Sequence, residues 1–183
     1  MSSQKCQLNQ LRVLVTRPEH QAAQLIEALR AQGAEPLSFP TIEITSAPGA
    51  AASLKEAGQY SDLIYVSANA VSFSLDHFTP ANQRVIAIGS ATRKALDSHG
   101  VPVDLSPQGQ ADSERLLAHP DIQQMQGRRV LIMRGDSGRE LLAQILRERG
   151  ASVDYAEVYR RQIPSDADCG ALRQHWRCLL YTS

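Results

Sequence analysis

The sequence predicts an α/β protein made of two parallel-sheet domains, the first of them discontinuous, and three observations carry that prediction. Strand-length apolar runs alternate with helix-period segments along the chain. A unit of strand, arginine-bearing loop, helix and terminal glycine occurs twice. Two extended segments with proline-containing exits follow the two copies at equivalent places.

LRVLVT (11–16) reads as a strand. EHQAAQLIEALRAQ (19–32) puts Ala22, Leu25, Ile26 and Leu29 on one helical face and stops at Gly33, a C-terminal glycine. Further strands are predicted at DLIYVS (62–67), RVIAIG (84–89), VDL (103–105), RRVLIMR (128–134) and VDYAEVY (153–159). Helices are predicted over 69–78, 90–99, 112–118 and 137–149.

The repeat sets 11–34 against 128–151. Val13, Leu14, Arg17, Leu25, Leu29, Arg30, Gly33 and Ala34 recur as Val130, Leu131, Arg134, Leu142, Leu146, Arg147, Gly150 and Ala151. YSDLIYVS (60–67) is then echoed by WRCLLYTS (176–183), where the sequence ends. If the duplication is complete in the parent protein, roughly 60 residues of a second half-domain are missing, and the chain is a truncated one. LSFPTIEITSAP (37–48) and DYAEVYRRQIPSDAD (154–168) are expected to pair as strands linking the domains. The division that follows is 1–39 plus 162–183 as a discontinuous, incomplete α/β domain, with 40–161 as a complete one that includes the linker strands.

Composition narrows the function classes. Nineteen basic and 19 acidic residues cancel, with no Lys/Arg block, so a nucleic-acid or membrane-surface partner is not favoured. Cys6, Cys169 and Cys178 are odd in number and far from any histidine pair at ligand spacing, which argues against a disulfide framework or a zinc site. With no signal-peptide core and no run of 18 apolar residues, the reading is a soluble cytoplasmic protein without a metal.

The turns after the strands read TRPEHQ, VSANAV, IGSATR and MRGDSG, none of them a dinucleotide fingerprint or P-loop. G-x-S-x-G is absent, and Thr16 and Ser67 stand where a receiver domain needs acids. What the turns offer is small polar residues at the carboxyl edge of a parallel sheet, where open α/β folds bind ligands. Ser67, Ala68, Asn69 and Ala70, with Ser90 and Thr92, either cap helices or leave first-turn amides open to an anion. Arg17 and Arg134, equivalent in the repeat, either pair with Glu19 and Asp136 on the surface or clamp carboxylates across a cleft.

Taken in order, VLVTRPE, FPTIEI, LIYVSANAV, AIGSATRKAL, VLIMRGDSGRELL and AEVYRRQ resemble the uroporphyrinogen-III synthase family, from Arg12 to Ser183. The resemblance implies two flavodoxin-like domains joined by a two-stranded ladder, with the active site in the cleft between them. It implies a cofactor-independent lyase that closes hydroxymethylbilane, a linear tetrapyrrole with eight carboxylates, losing water and inverting the last ring through an azafulvene and a spirocyclic intermediate. Tyr159, in the VY motif, is the proton donor so implied; a tyrosine of ordinary pKa near ~10 is protonated at neutral pH and can donate to a leaving oxygen. Its plain alternative is a linker tyrosine packed on the ladder.

The Thr16–Arg17 turn, Ser67 to Ala70, Ser90, Thr92 and Arg134 are implied to line the cleft and meet carboxylates largely through main-chain N–H groups. A monomer is implied, with hydroxymethylbilane as its small-molecule partner and transient contact with the preceding pathway enzyme. The family's second strand-TS loop stops here at Thr182 and Ser183, and its second I-G-x-x-T-like loop is missing, which puts the activity of the chain alone in doubt. The rival reading is a non-catalytic two-lobed α/β module that binds a small polycarboxylate.

Overall fold

The computed structural model describes residues 8–173 except 10, 108–111, 139, 166, 168 and 171. The echo at 176–183 therefore lies outside the described residues, as do Cys6 and Cys178. The chain divides into two compact units, Met1–Ile44 with Arg161–Ser183 and Thr45–Arg160.

In the first unit, β1 (Arg12–Val15) and β2 (Glu35–Ser38) pair in parallel, Arg12 opposite Glu35 and Val15 opposite Ser38, with α1 (Glu19–Ala31) between them in sequence. The predicted C-terminal glycine ends α1: Gly33 has φ +84°, its N–H donates to the Arg30 carbonyl and that of Ala34 to Leu29. This pair of bonds satisfies carbonyls that the last helical turn leaves open.

The second unit is built on a five-stranded sheet of order β3-β7-β6-β4-β5. Its strands are β3 (Glu43–Ser46), β4 (Asp62–Tyr65), β5 (Arg84–Ala87), β6 (Arg129–Gly135) and β7 (Ser152–Gln162). β7, β6, β4 and β5 run parallel. Between β3 and β7 the Ala47 N–H donates to the Val158 carbonyl, Arg160 to the Thr45 hydroxyl, and Gln162 to the Glu43 carboxylate. Partner numbers fall on one strand as they rise on the other, so this pair is antiparallel. The segment 37–48 thus supplies the expected partner for β7 in its second half, while its first half completes β2.

Helices α2 (Ala50–Leu54), α3 (Ala68–Leu75), α4 (Ser90–Ser98), α5 (Ser113–Ala118) and α6 (Leu141–Glu148) cover the sheet. Side chains alternate across a strand. Ile64, Ile86, Val130 and Ile132 accordingly join Leu116, Ile122, Met125, Leu142 and Leu146 in one core. Leu63, Tyr65, Leu131 and Met133 point to the other face and are equally buried. Both faces are covered, which is why β4 and β6 read as unbroken apolar runs in place of an alternating pattern.

Most predicted elements lose a residue or two at their ends, and two depart further. VDL (103–105) contributes a single parallel bridge, Ile86 with Leu105, because the Asp104 carboxylate accepts the Val85 N–H at 2.7 Å and so removes a ladder donor. The helix expected from 137 starts only at Leu141. Glu140 precedes it with no side-chain cap, its carboxylate being committed to Arg134 and Tyr155.

Candidate active site

Parallel pairing of β7, β6, β4 and β5 brings the turns after these strands to one edge of the sheet. β4 delivers Ser67 there in extended conformation, as the N-cap of α3. Its Oγ accepts the Ala70 N–H at 3.0 Å and shares a 3.2 Å hydrogen bond with the Tyr159 hydroxyl. Ser67 thus follows the capping alternative, and the Ala70 N–H is taken by its Oγ. Ala68 is exposed and Asn69 half-buried beside it, while Ala70 is buried under the first turn.

Tyr159 is held on three sides. Its ring stacks on Phe73 of α3, centroids 6.1 Å apart, and only 2% of the residue is exposed. Across the ladder stands Gly135, where the register between β6 and β7 shifts after Arg134. A Cβ there would sit 2.7 Å from Tyr159 Cε2, so the glycine serves to leave room for the ring. The Asp136 N–H donates to the Tyr159 carbonyl at 3.0 Å and fixes the backbone as well. The Tyr159 hydroxyl is thereby fixed beside the positive end of a helix.

After β5, buried Gly89 holds the N-cap position of α4 in extended conformation, and no side chain caps that helix. Ser90 is the first helical residue and exposed; Thr92 is buried at 3% exposure. Thr16 and Arg17 lie in the first unit, just after β1, both exposed. The Thr16 carbonyl accepts from both the amide and the hydroxyl of Thr41. In the same unit, Pro18, Leu37, Phe39, Ile42, Ile44 and Pro164 wall a cavity of about 510 Å³.

Arg134 stands apart from Ser67 and Tyr159. By the strand alternation its side chain is on the face of Ile132 and α6, whereas Tyr159 stacks on α3. The surface pairing with Asp136 gives way to one with Glu140: Arg134 Nη1 donates to Glu140 Oε1 at 2.9 Å, and its guanidinium lies 4.5 Å from the centre of the Tyr155 ring. The Tyr155 hydroxyl donates to Glu140 Oε2 at 2.5 Å. That bond first, and Arg134 second, hold the Glu140 carboxyl below its usual range, while burial and then Glu140 push the Tyr155 phenol up.

Glu140, Tyr155, Phe73 and Gly135 carry no sequence signal for these contacts, because each depends on the register of β6 against β7 or on where α6 begins. Among the described residues no group of three or more His, Cys, Asp or Glu could hold a metal, and no helix is long and apolar enough to cross a membrane.

Comparison with known proteins places this chain in a family. The family model described as "Uroporphyrinogen-III synthase HemD" matches residues 23–178. The chain is 36% identical to the uroporphyrinogen-III synthase of Escherichia coli (strain K12), over 81% of this chain and 64% of that protein. It is 30% identical to that of Chlorobaculum parvum, over 93% of this chain and 74% of the relative. It therefore spans about two thirds of the length of such relatives. Among solved structures, a mutant uroporphyrinogen III synthase from Thermus thermophilus superimposes with a TM-score of 0.66 at 19% identity, covering 91% of this chain and 69% of that one. The uroporphyrinogen-III synthetase of Helicobacter pylori 26695 gives 0.52 at 20%, covering 85% and 63%. At those identities the structures speak for the fold, and the sequence matches decide the family: this chain belongs to the uroporphyrinogen-III synthases.

Proposed function

We propose that the protein to which this chain belongs cyclises hydroxymethylbilane with inversion of its last ring and loss of water, without a cofactor, as a cytoplasmic monomer of tetrapyrrole biosynthesis that meets the preceding pathway enzyme only transiently. The observation that carries the reading, given the family, is the Tyr159 hydroxyl fixed 3.2 Å from Ser67 Oγ at the first turn of α3.

Tyr159 acts as the proton donor. It protonates the hydroxymethyl oxygen as the C–O bond breaks, water leaves, and the substituted carbon of the last ring attacks the methylene of the resulting azafulvene. The spirocycle fragments and recloses, and the proton released on final closure restores the phenol. Ser67 Oγ and the α3 dipole stabilise the transient phenolate. Ser67 with the first-turn amides at Ala68 and Asn69, those at Ser90 to Thr92, the Thr16–Arg17 turn and Arg134 hold the carboxylates so that the crowded carbon is the nearer target, while the Ala70 N–H stays with Ser67 Oγ. The domain division that belongs to this reading is 1–39 plus 162–183 against 40–161.

The test is to mix the protein with freshly generated hydroxymethylbilane and separate the porphyrin isomers after oxidation. Both the 183-residue chain and a form extended to complete the repeat are assayed. Type III product from the extended form is the expected result; only the spontaneous type I isomer would remove the enzyme reading. Tyr159→Phe should slow type III formation by about 100-fold or more, in line with the loss of a general acid. An unchanged rate and isomer ratio would take Tyr159 out of the mechanism.

A further inference from the structure

The environment of Glu140 is that of a bound carboxylate. Each of its oxygens has its own donor, Arg134 Nη1 at 2.9 Å and the Tyr155 hydroxyl at 2.5 Å. The donors are fixed by rigid elements. Arg134 is the penultimate residue of β6, its side chain is 8% exposed, and its Nε donates back to the Gly135 carbonyl. Its guanidinium stacks over the ring of Tyr155 from β7. Arg147 of α6 adds a second positive charge near the same ring, 5.8 Å from its centre, and is itself tied to the Val153 carbonyl at 2.7 Å.

The acceptor is not fixed in this way. The Glu140 side chain is 65% exposed, caps nothing in α6, and reaches its donors from outside. A buried arginine oriented against a half-buried phenol, with an exposed and replaceable carboxylate upon them, is a receptor carrying its own stand-in ligand.

We propose that Glu140 occupies in cis a receptor built from Arg134 and Tyr155 for one carboxylate of the substrate, an acetate or propionate, which takes the place of Glu140 when that side chain turns to solvent. The exchange replaces one carboxylate by another, so the buried guanidinium keeps its counter-ion throughout. It also selects for polyacids. A free monocarboxylate must compete with a tethered group at an effective concentration of order ~mM, whereas a polyacid anchored elsewhere on the protein competes as a tethered group itself. The substrate assignment rests on the function proposed above, but the receptor does not.

Two measurements separate them. First, propionate is titrated into wild type, Glu140→Ala, Glu140→Gln and the double variant Glu140→Ala/Arg134→Gln, following the Arg134 Nε–H signal by NMR, or calorimetry where that residue is changed. Propionate should bind Glu140→Ala at least about 10-fold more tightly than wild type, with Glu140→Gln between them and no binding in the double variant. Equal affinity across the set, or none in any, overturns the receptor. Glu140→Gln keeps the side-chain volume and so serves if Glu140→Ala does not fold. Second, KM for hydroxymethylbilane should fall several-fold in Glu140→Ala. Measured in the extended form, an unchanged or raised KM alongside tight propionate binding overturns the substrate exchange alone, and absence of turnover in extended wild type overturns the proposed function while leaving the propionate result standing.

Discussion

Gly135 shows how a residue with ordinary backbone angles can still admit no side chain. The Tyr159 ring fills the space where its Cβ would be, with Cε2 at 2.7 Å and Cζ at 2.8 Å. Gly135→Ala should therefore push the ring off Phe73 and break its bond with Ser67. Unfolding in urea should show a loss of about 1–3 kcal/mol, the usual cost of overpacking, and type III formation should fall together with it. A stability loss with intact turnover would show that the phenol tolerates displacement. This steric link is not legible in the sequence, where Gly135 is one more glycine after a strand. Tyr159 is visible there only through the VY motif, and the fate of Arg134 is hidden because its partners, Glu140 and Tyr155, sit 6 and 21 residues downstream at positions set by the fold.

At the scale of elements, the repeat is the feature that the sequence carries most faithfully. Gly150 ends α6 as Gly33 ends α1: its φ is +90°, its N–H donates to the Arg147 carbonyl, and that of Ala151 donates to Leu146. The same pair of bonds closes both copies because both need a residue that accepts a left-handed turn. Gly150→Ala should cost about 1 kcal/mol or more. Its Cβ would also collide with Gln126 Oε1, a contact that the flexible side chain must yield. Equal denaturation midpoints for wild type and variant would contradict this account. Strand existence is equally legible, since β4 and β6 are buried on both faces and so are apolar throughout. Element ends are not: the Asp104 side chain cuts one strand to a bridge, and the Glu140 carboxylate, drawn away to Arg134 and Tyr155, leaves α6 to begin at Leu141.

For the molecule as a whole, stability should fall in alkali through one buried phenol. Tyr65 is 0% exposed, its hydroxyl finds no hydrogen-bond partner among the described residues, and burial pushes its pKa up to about 12, with nearby Ser74 offsetting only part of this. The folded protein holds this proton more tightly than the unfolded chain, whose tyrosine titrates near ~10. The contribution is complete below that value and is lost progressively as pH rises from about 10 to about 12, amounting to at most roughly 2.7 kcal/mol for two pKa units. Urea midpoints measured across that window should fall less steeply in Tyr65→Phe than in wild type. Tyr60 and Tyr155 are also raised but are only partly buried, so the variant isolates the Tyr65 share.

The order of the two units along the chain has a consequence for biosynthesis. Both ends of Thr45–Arg160 lie on adjoining strands, where Arg160 reaches back to Thr45 at 3.3 Å. A ribosome releases β1, α1 and β2 first, yet Arg161–Ser183, which belong to the same unit, emerge only after all of Thr45–Arg160. The inserted unit can thus acquire its core during translation, while the split one waits for its later piece. In a nascent chain, that early segment is where a chaperone would be expected to hold on longest.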